Sequence, residues 1–122
     1  KPKSEPKDND ISNIGSDHFY IKQSGTLTKV GFDEIYYLSA DGHYCNVHKA
    51  NKKFIVRISL VQLADKIPKN FFLQTHRSYI INKKKIKKLN LKENIIDLNG
   101  QMIPISKLNR AEVIKSLGLV LE

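Results

Sequence analysis

The chain has 122 residues, a length that supports one buried core, and 40% of them are hydrophobic, enough to fold. Lys and Arg number 21 against 12 Asp and Glu, a formal charge of +9 at pH 7, so a partner chosen by charge is an acidic one. No apolar run approaches the roughly 20 residues that span a bilayer, no signal-peptide stretch opens the chain, and the single cysteine, Cys45, excludes an internal disulfide and fits a reducing cytoplasm, though some secreted proteins share that count.

Lys1 to Asp10 holds Pro, Ser and charged residues with no apolar side chain, so residues 1–16 read as a linker or tail and residues 17–122 as the folded domain. A start at Lys1 without Met is expected of a piece of a longer chain. His18 to Lys22 and Thr26 to Val30 flank a turn at Gly25 and predict a hairpin. Ile35 to Ala40 is a third strand, Asp41-Gly42 a turn, Tyr44 to His48 a fourth strand, and Lys53 to Ile58 a fifth. Ser59 then caps a helix of about two turns, with Leu60, Leu63, Ala64 and Ile67 at helical spacing and Pro68 as its stop.

Strand-like stretches resume at Phe71 to Gln74, Tyr79 to Asn82, Ile86 to Asn90 and Ile95 to Leu98, and Asn99-Gly100 turns the chain into Gln101 to Ile105. Ser106 caps a closing helix to Leu117, with Leu108, Val113, Ile114 and Leu117 on one side and Gly118 beyond. Nine or ten short strands and one or two small helices make a mostly β domain.

The charge is unevenly placed. Residues 1–48 hold five basic and seven acidic residues, residues 49–92 thirteen and one, and residues 93–122 three and four, for net charges of −2, +12 and −1. The middle third is therefore expected to form one positive face that draws in a polyanion. A plain solubilising, Lys-rich surface is the alternative.

Enzyme chemistry finds little support. His43, Cys45, His48 and His76 are the candidate metal ligands, but H-x-C-x-x-H is not a zinc spacing, and a strand would turn His48 away from Cys45 and His43. Nothing near Cys45 supplies a base or an oxyanion hole, Gly-rich phosphate loops are missing, and the carboxylates are scattered. No catalytic residue, metal or other cofactor is assigned.

The feature left is Thr75-His76-Arg77-Ser78-Tyr79-Ile80-Ile81-Asn82, followed by Lys83-Lys84-Lys85-Ile86-Lys87-Lys88. The planar Arg77 fork suits the O6/N7 edge of guanine or a phosphate. His76 and Ser78 are donors for phosphate oxygens, and Lys83, Lys84 and Lys85 are point charges for the DNA backbone. The alternative is a buried strand at Tyr79 to Ile81, with His76 bonded inside and only the lysines solvated.

Residues 72–82 resemble the F-x-R-x-H-R-S-Y-I-V-N pattern of the LytTR-type DNA-binding domain of bacterial two-component response regulators. Asp33 to Leu38 is similar to the start of that family's D-D-I-x-Y-I-E, with Ser39 where Glu is common, Gly42 to Val47 to its x-x-N-Y-V-x-I, Arg57 to Leu60 with Leu63 to its helix start, and Ile103 to Lys107 to its I-P-V-S-R. The resemblance covers residues 18 to 117 and implies an elongated arrangement of small antiparallel sheets with one or two short helices, in which loops reach DNA. Base contacts would fall on His43 or Tyr44, on Arg77, and on Lys107. Lys107 stands where Arg is common, and Gln74 replaces an arginine. Tyr44 could instead pack across strands, and Lys107 could be a plain surface lysine.

The resemblance further implies control of transcription as an output domain, a receiver domain upstream, and a dimer on a direct-repeat site in double-stranded DNA. An RNA-binding small β domain and a module for an acidic protein partner are the rivals.

Overall fold

Ile80 and Ile81 are adjacent in one strand, so their side chains leave opposite faces of a sheet, yet both are buried. The computed structural model, which describes residues 9–119, explains this with a central sheet covered on both faces. That sheet holds β4 (Ile35–Asp41), β5 (Tyr44–Lys49), β6 (Lys53–Val56), β7 (Phe72–His76) and β8 (Tyr79–Asn82) in the order β6-β5-β4-β8-β7, with every pairing antiparallel.

On one face lies a sheet of β1 (Asp10–Ser12), β2 (His18–Gln23) and β3 (Thr26–Gly31), together with helix α1 (Leu60–Ala64). Phe19, Ile21, Val30, Leu60 and Leu63 meet Leu38, Val47, Phe72 and Ile80 there in the larger core. On the other face lie β9 (Lys88–Asn90), β10 (Ile95–Asp97) and β11 (Met102–Pro104) with helix α2 (Lys107–Ser116), whose Ile96, Ile103 and Val113 meet Leu73 and Ile81 in a second core. The fold is mostly β, as the sequence predicts, with eleven strands among the described residues against the nine or ten expected.

Several boundaries differ for physical reasons. Asp10–Ser12, read above as part of a linker, pairs with Tyr20 to Lys22 and buries Ile11 against the larger core, so folded structure begins before residue 17. Three residues with one apolar side chain carry too little periodicity to announce a strand. Lys1 to Asp8 lie outside the described residues. The β4–β5 turn centres on Gly42-His43, because Asp41 pairs with Tyr44, and Gly42 adopts φ +64°. A glycine at the first central position of a two-residue hairpin turn is what that backbone requires. Asn99 and Gly100 both have positive φ in the β10–β11 turn, as Asn-Gly predicts.

Leu108 is not on the buried side of α2: it is 96% exposed. Five residues at 3.6 per turn set it about 140° around the helix from Val113.

Asn82 ties the end of β8 to the central sheet. It is wholly buried, its amide donates to the carbonyls of Phe32 and Ile35 at 2.9 Å each, and its Oδ1 accepts the Lys84 N–H. Asn82→Ala strands two buried carbonyls and an N–H, and should destabilise the chain by about 2–4 kcal/mol in urea unfolding, since each unmet buried group costs about 1–3 kcal/mol. A loss below about 0.5 kcal/mol would contradict this role.

Candidate nucleic-acid interface

The pairing of β4 with β8 sets two turns side by side. Ser39 stands opposite Tyr79, and the Ala40 N–H donates to the Ser78 carbonyl at 2.9 Å, so the β4–β5 and β7–β8 turns leave the same end of the sheet. The first turn presents His43, exposed at its tip, with half-buried Tyr44 opening β5. The second presents Arg77, exposed, and Ser78, since His76 pairs with Tyr79 across the two residues between them. The turns are two strand spacings apart, about 10 Å at roughly 4.8 Å each.

His76 shapes the second turn. Its Nδ1 lies 3.0 Å from the Ser78 backbone N and accepts that N–H, which leaves Nε2 as the ring's outward donor. The ring meets Tyr79 edge to face at 5.7 Å, and Gln74 Nε2 donates to the His76 carbonyl. Arg77 is thus carried on a turn held from both sides, while half of the alternative reading also holds: Ile80 and Ile81 are buried and His76 is hydrogen-bonded.

The third element is the start of α2. The Ser106 N–H donates to the Thr75 carbonyl at 2.8 Å, Ser106 Oγ caps the helix by accepting the Asn109 N–H, and Asn109 Nδ2 reaches the Gln74 carbonyl. Exposed Lys107 therefore stands beside the β7 end that leads into Arg77. The Ser-x-x-Asn spacing marks only the cap, and the anchoring of Asn109 to the Gln74 carbonyl leaves no local signal in the sequence because the two residues lie far apart in the chain.

His43, Tyr44, His76, Arg77, Ser78 and Lys107 are brought together; Lys83, Lys84 and Lys85 are not. These three form a tight turn at the opposite end of β8, four residues or about 13 Å of strand from the Arg77 turn. Lys84 lies over the Phe71 ring and Lys85 over Tyr36. Lys49 pairs with Glu34 at 2.8 Å and Arg57 with Asp10 at 3.4 Å. Arg77 at one end of β8 and Lys83 to Lys85 at the other therefore do not share the single positive face expected of residues 49–92.

Cys45 points into the larger core, where burial pushes its thiol up to about 12, so it holds no thiolate nucleophile at neutral pH. His48 is on the other face, stacked on Tyr37 at 3.9 Å, with Nε2 2.9 Å from Ser39 Oγ. Burial, then the charge of Lys53, lowers its pKa to about 4. Among the described residues no three His, Cys, Asp or Glu side chains cluster as a metal site would require, and no helix is long and apolar enough to cross a membrane.

The family model for the LytTr DNA-binding domain matches residues 25–118. The chain is 34% identical over 112 residues to the sensory transduction protein LytT of Bacillus subtilis, covering 88% of this chain and 46% of that protein. It is 32% identical over 91 residues to the CO-responsive transcriptional regulator RcoM of Rhodospirillum rubrum, covering 70% and 37%. The chain spans less than half the length of these relatives. In fold it matches a solved LytTr DNA-binding domain from Bacillus cereus, with a TM-score of 0.73 at 24% identity over 86% of this chain and all of that one.

His48 gives a pH test of the Tyr37 stack. With a folded pKa of about 4 below the ordinary 6.5, the unfolded chain takes up this proton first. The resulting stability is present above pH 6.5 and is lost as pH falls toward 4. The urea midpoint should drop between pH 7 and 4.5 in the wild type and less in His48→Gln. Equal slopes in the two proteins would contradict a half-buried imidazole that folding keeps neutral.

Proposed function

The chain belongs to the LytTr family of DNA-binding domains, a family of binding domains and not of enzymes, and on that premise we propose that it reads a specific sequence in double-stranded DNA. The observation that carries this reading is the convergence of the two hairpin turns and the start of α2 at one end of the central sheet. His43, Tyr44, Arg77 and Lys107 would meet base edges there, Arg77 through a bidentate contact to guanine and Lys107 through a single one. His76 Nε2 and Ser78 would hold phosphates and fix the register. The lysines at 83–85, at the far end, would add long-range attraction and not direct contact.

In a longer protein the domain would be the output part of a bacterial two-component response regulator in the cytoplasm, joined to a receiver domain and controlling transcription. The greater length of the relatives supports a further domain. Phosphorylation of the receiver would pair two copies on a direct repeat, where the second binding event gains from proximity. An RNA-stacking platform is disfavoured because every Phe and Tyr among the described residues is buried or half-buried, whereas single-stranded bases need exposed rings. An acidic-protein module would enrich no sequence from a random duplex library.

Binding-site selection followed by titration at several salt concentrations tests the assignment. Arg77→Ala should cost about 1–3 kcal/mol on the selected site and relax preference at one base pair, and Arg77→Lys should not restore it. Replacing Lys84 and Lys85 together should leave base preference intact and change the salt slope by less than about one unit. Equal weakening of Arg77→Ala on all sequences would reduce Arg77 to a phosphate contact.

A further inference from the structure

Leu108 is the most exposed large hydrophobic residue among those described, at 96%, against 70% for Val61, 60% for Met102 and 49% for Leu27. Isolated apolar residues on a surface are ordinary, but this one occupies the first turn of α2, next to Lys107, at the end of the sheet where the two hairpin turns emerge. Helix propensity does not account for it, because Lys, Gln or Glu would serve a first turn nearly as well and without exposing an isobutyl group to water.

The direction of Leu108 is fixed by the rest of its helix. Asn109 bonds to the Gln74 carbonyl of β7. Arg110 reaches across to Asn94 Oδ1 at 2.9 Å and to the Leu91 carbonyl at 3.3 Å. Val113 is wholly buried in the second core. These attachments to three separate parts of the fold prevent the helix from rolling Leu108 inward. The first turn of α2 carries no acidic residue, so nothing there repels a phosphate backbone as it approaches.

We propose that Leu108 is a specificity residue that packs against the 5-methyl group of a thymine in the major groove, beside the base pair met by Lys107. The thymine methyl is the apolar mark of an A·T pair in that groove, and an aliphatic side chain is its natural complement. Lys107 supplies attraction, and Leu108 would add discrimination that a lysine alone cannot. This assignment rests on the DNA reading given above and extends it to a residue for which neither charge nor hydrogen bonding gave a signal.

The test is a double-mutant cycle on the 122-residue chain and a duplex that it enriches from a random library, with each thymine of the site replaced in turn by deoxyuridine, which lacks only the methyl. One thymine should show a loss of about fourfold in affinity with the wild type, the effect of one buried methyl, and no loss with Leu108→Ala. Leu108→Met should keep the preference for thymine, and Leu108→Gln should abolish it. Leu108 is solvent-exposed, so these variants should fold as the wild type does. If the wild type enriches a site but methyl removal and Leu108→Ala act additively at every thymine, the Leu108 assignment fails and the DNA reading stands; a side chain wedged between base pairs or facing a protein would give that result. A library that enriches no sequence would overturn the DNA reading and this assignment with it.

Discussion

Three residue pairs, Tyr37 with Ile81, Leu38 with Ile80 and Ser39 with Tyr79, join β4 to β8 at the middle of the central sheet, and the rest of the molecule depends on their register. Leu38 and Ile80 face the larger core while Tyr37 and Ile81 face the smaller one, so a slip of one residue would send each into the wrong layer. The same register aligns the Gly42-His43 turn with the Arg77-Ser78 turn. Burial on both faces of one sheet is therefore what positions the side chains proposed to read DNA. The two hairpin turns and the first turn of α2 can do this work because each is anchored to a strand that hydrophobic burial holds in place.

Charge illustrates the difference between counting along a chain and placing residues in space. Thirteen of the 21 basic residues lie within residues 49–92, a concentration that suggests one continuous face. Strand β8 undoes that inference, since its two ends project in opposite directions and carry Arg77 at one and Lys83 to Lys85 at the other. Two further cations are drawn to carboxylates by the fold, Lys49 to Glu34 and Arg57 to Asp10. At the loop end Arg77 and Lys107 are carried singly on anchored backbone, apart from the lysine run, which suits base reading better than indiscriminate attraction to a polyanion.

Much of this was legible in the residues. Period-two alternation located β2 to β6 and β8, Ser59 and Ser106 announced both helix starts, and Asn99-Gly100 marked its turn. The turn at residues 41–43 was displaced by one residue because Asp-Gly is a strong local preference, whereas the pairing of Asp41 with Tyr44 is decided across the hairpin. Strand β1 left no trace because its contribution is one isoleucine, and it forms only where β2 offers an edge. Leu108 was misplaced because apolar spacing alone cannot fix the rotation of a helix whose contacts, Arg110 with Asn94 and Asn109 with Gln74, are distant in sequence. Local signals read well, and long-range polar anchors did not.

One end of the five-stranded sheet is proposed as the surface that meets duplex DNA. Titrating the isotopically labelled chain with a duplex enriched from a random library, and following its backbone amide resonances, tests this directly. The largest shifts are expected at residues 41–44, 76–79 and 105–108, with little change at Lys83 to Lys88 or across β1 to β3. Shifts centred on the lysine run, with those three segments silent, would contradict this placement.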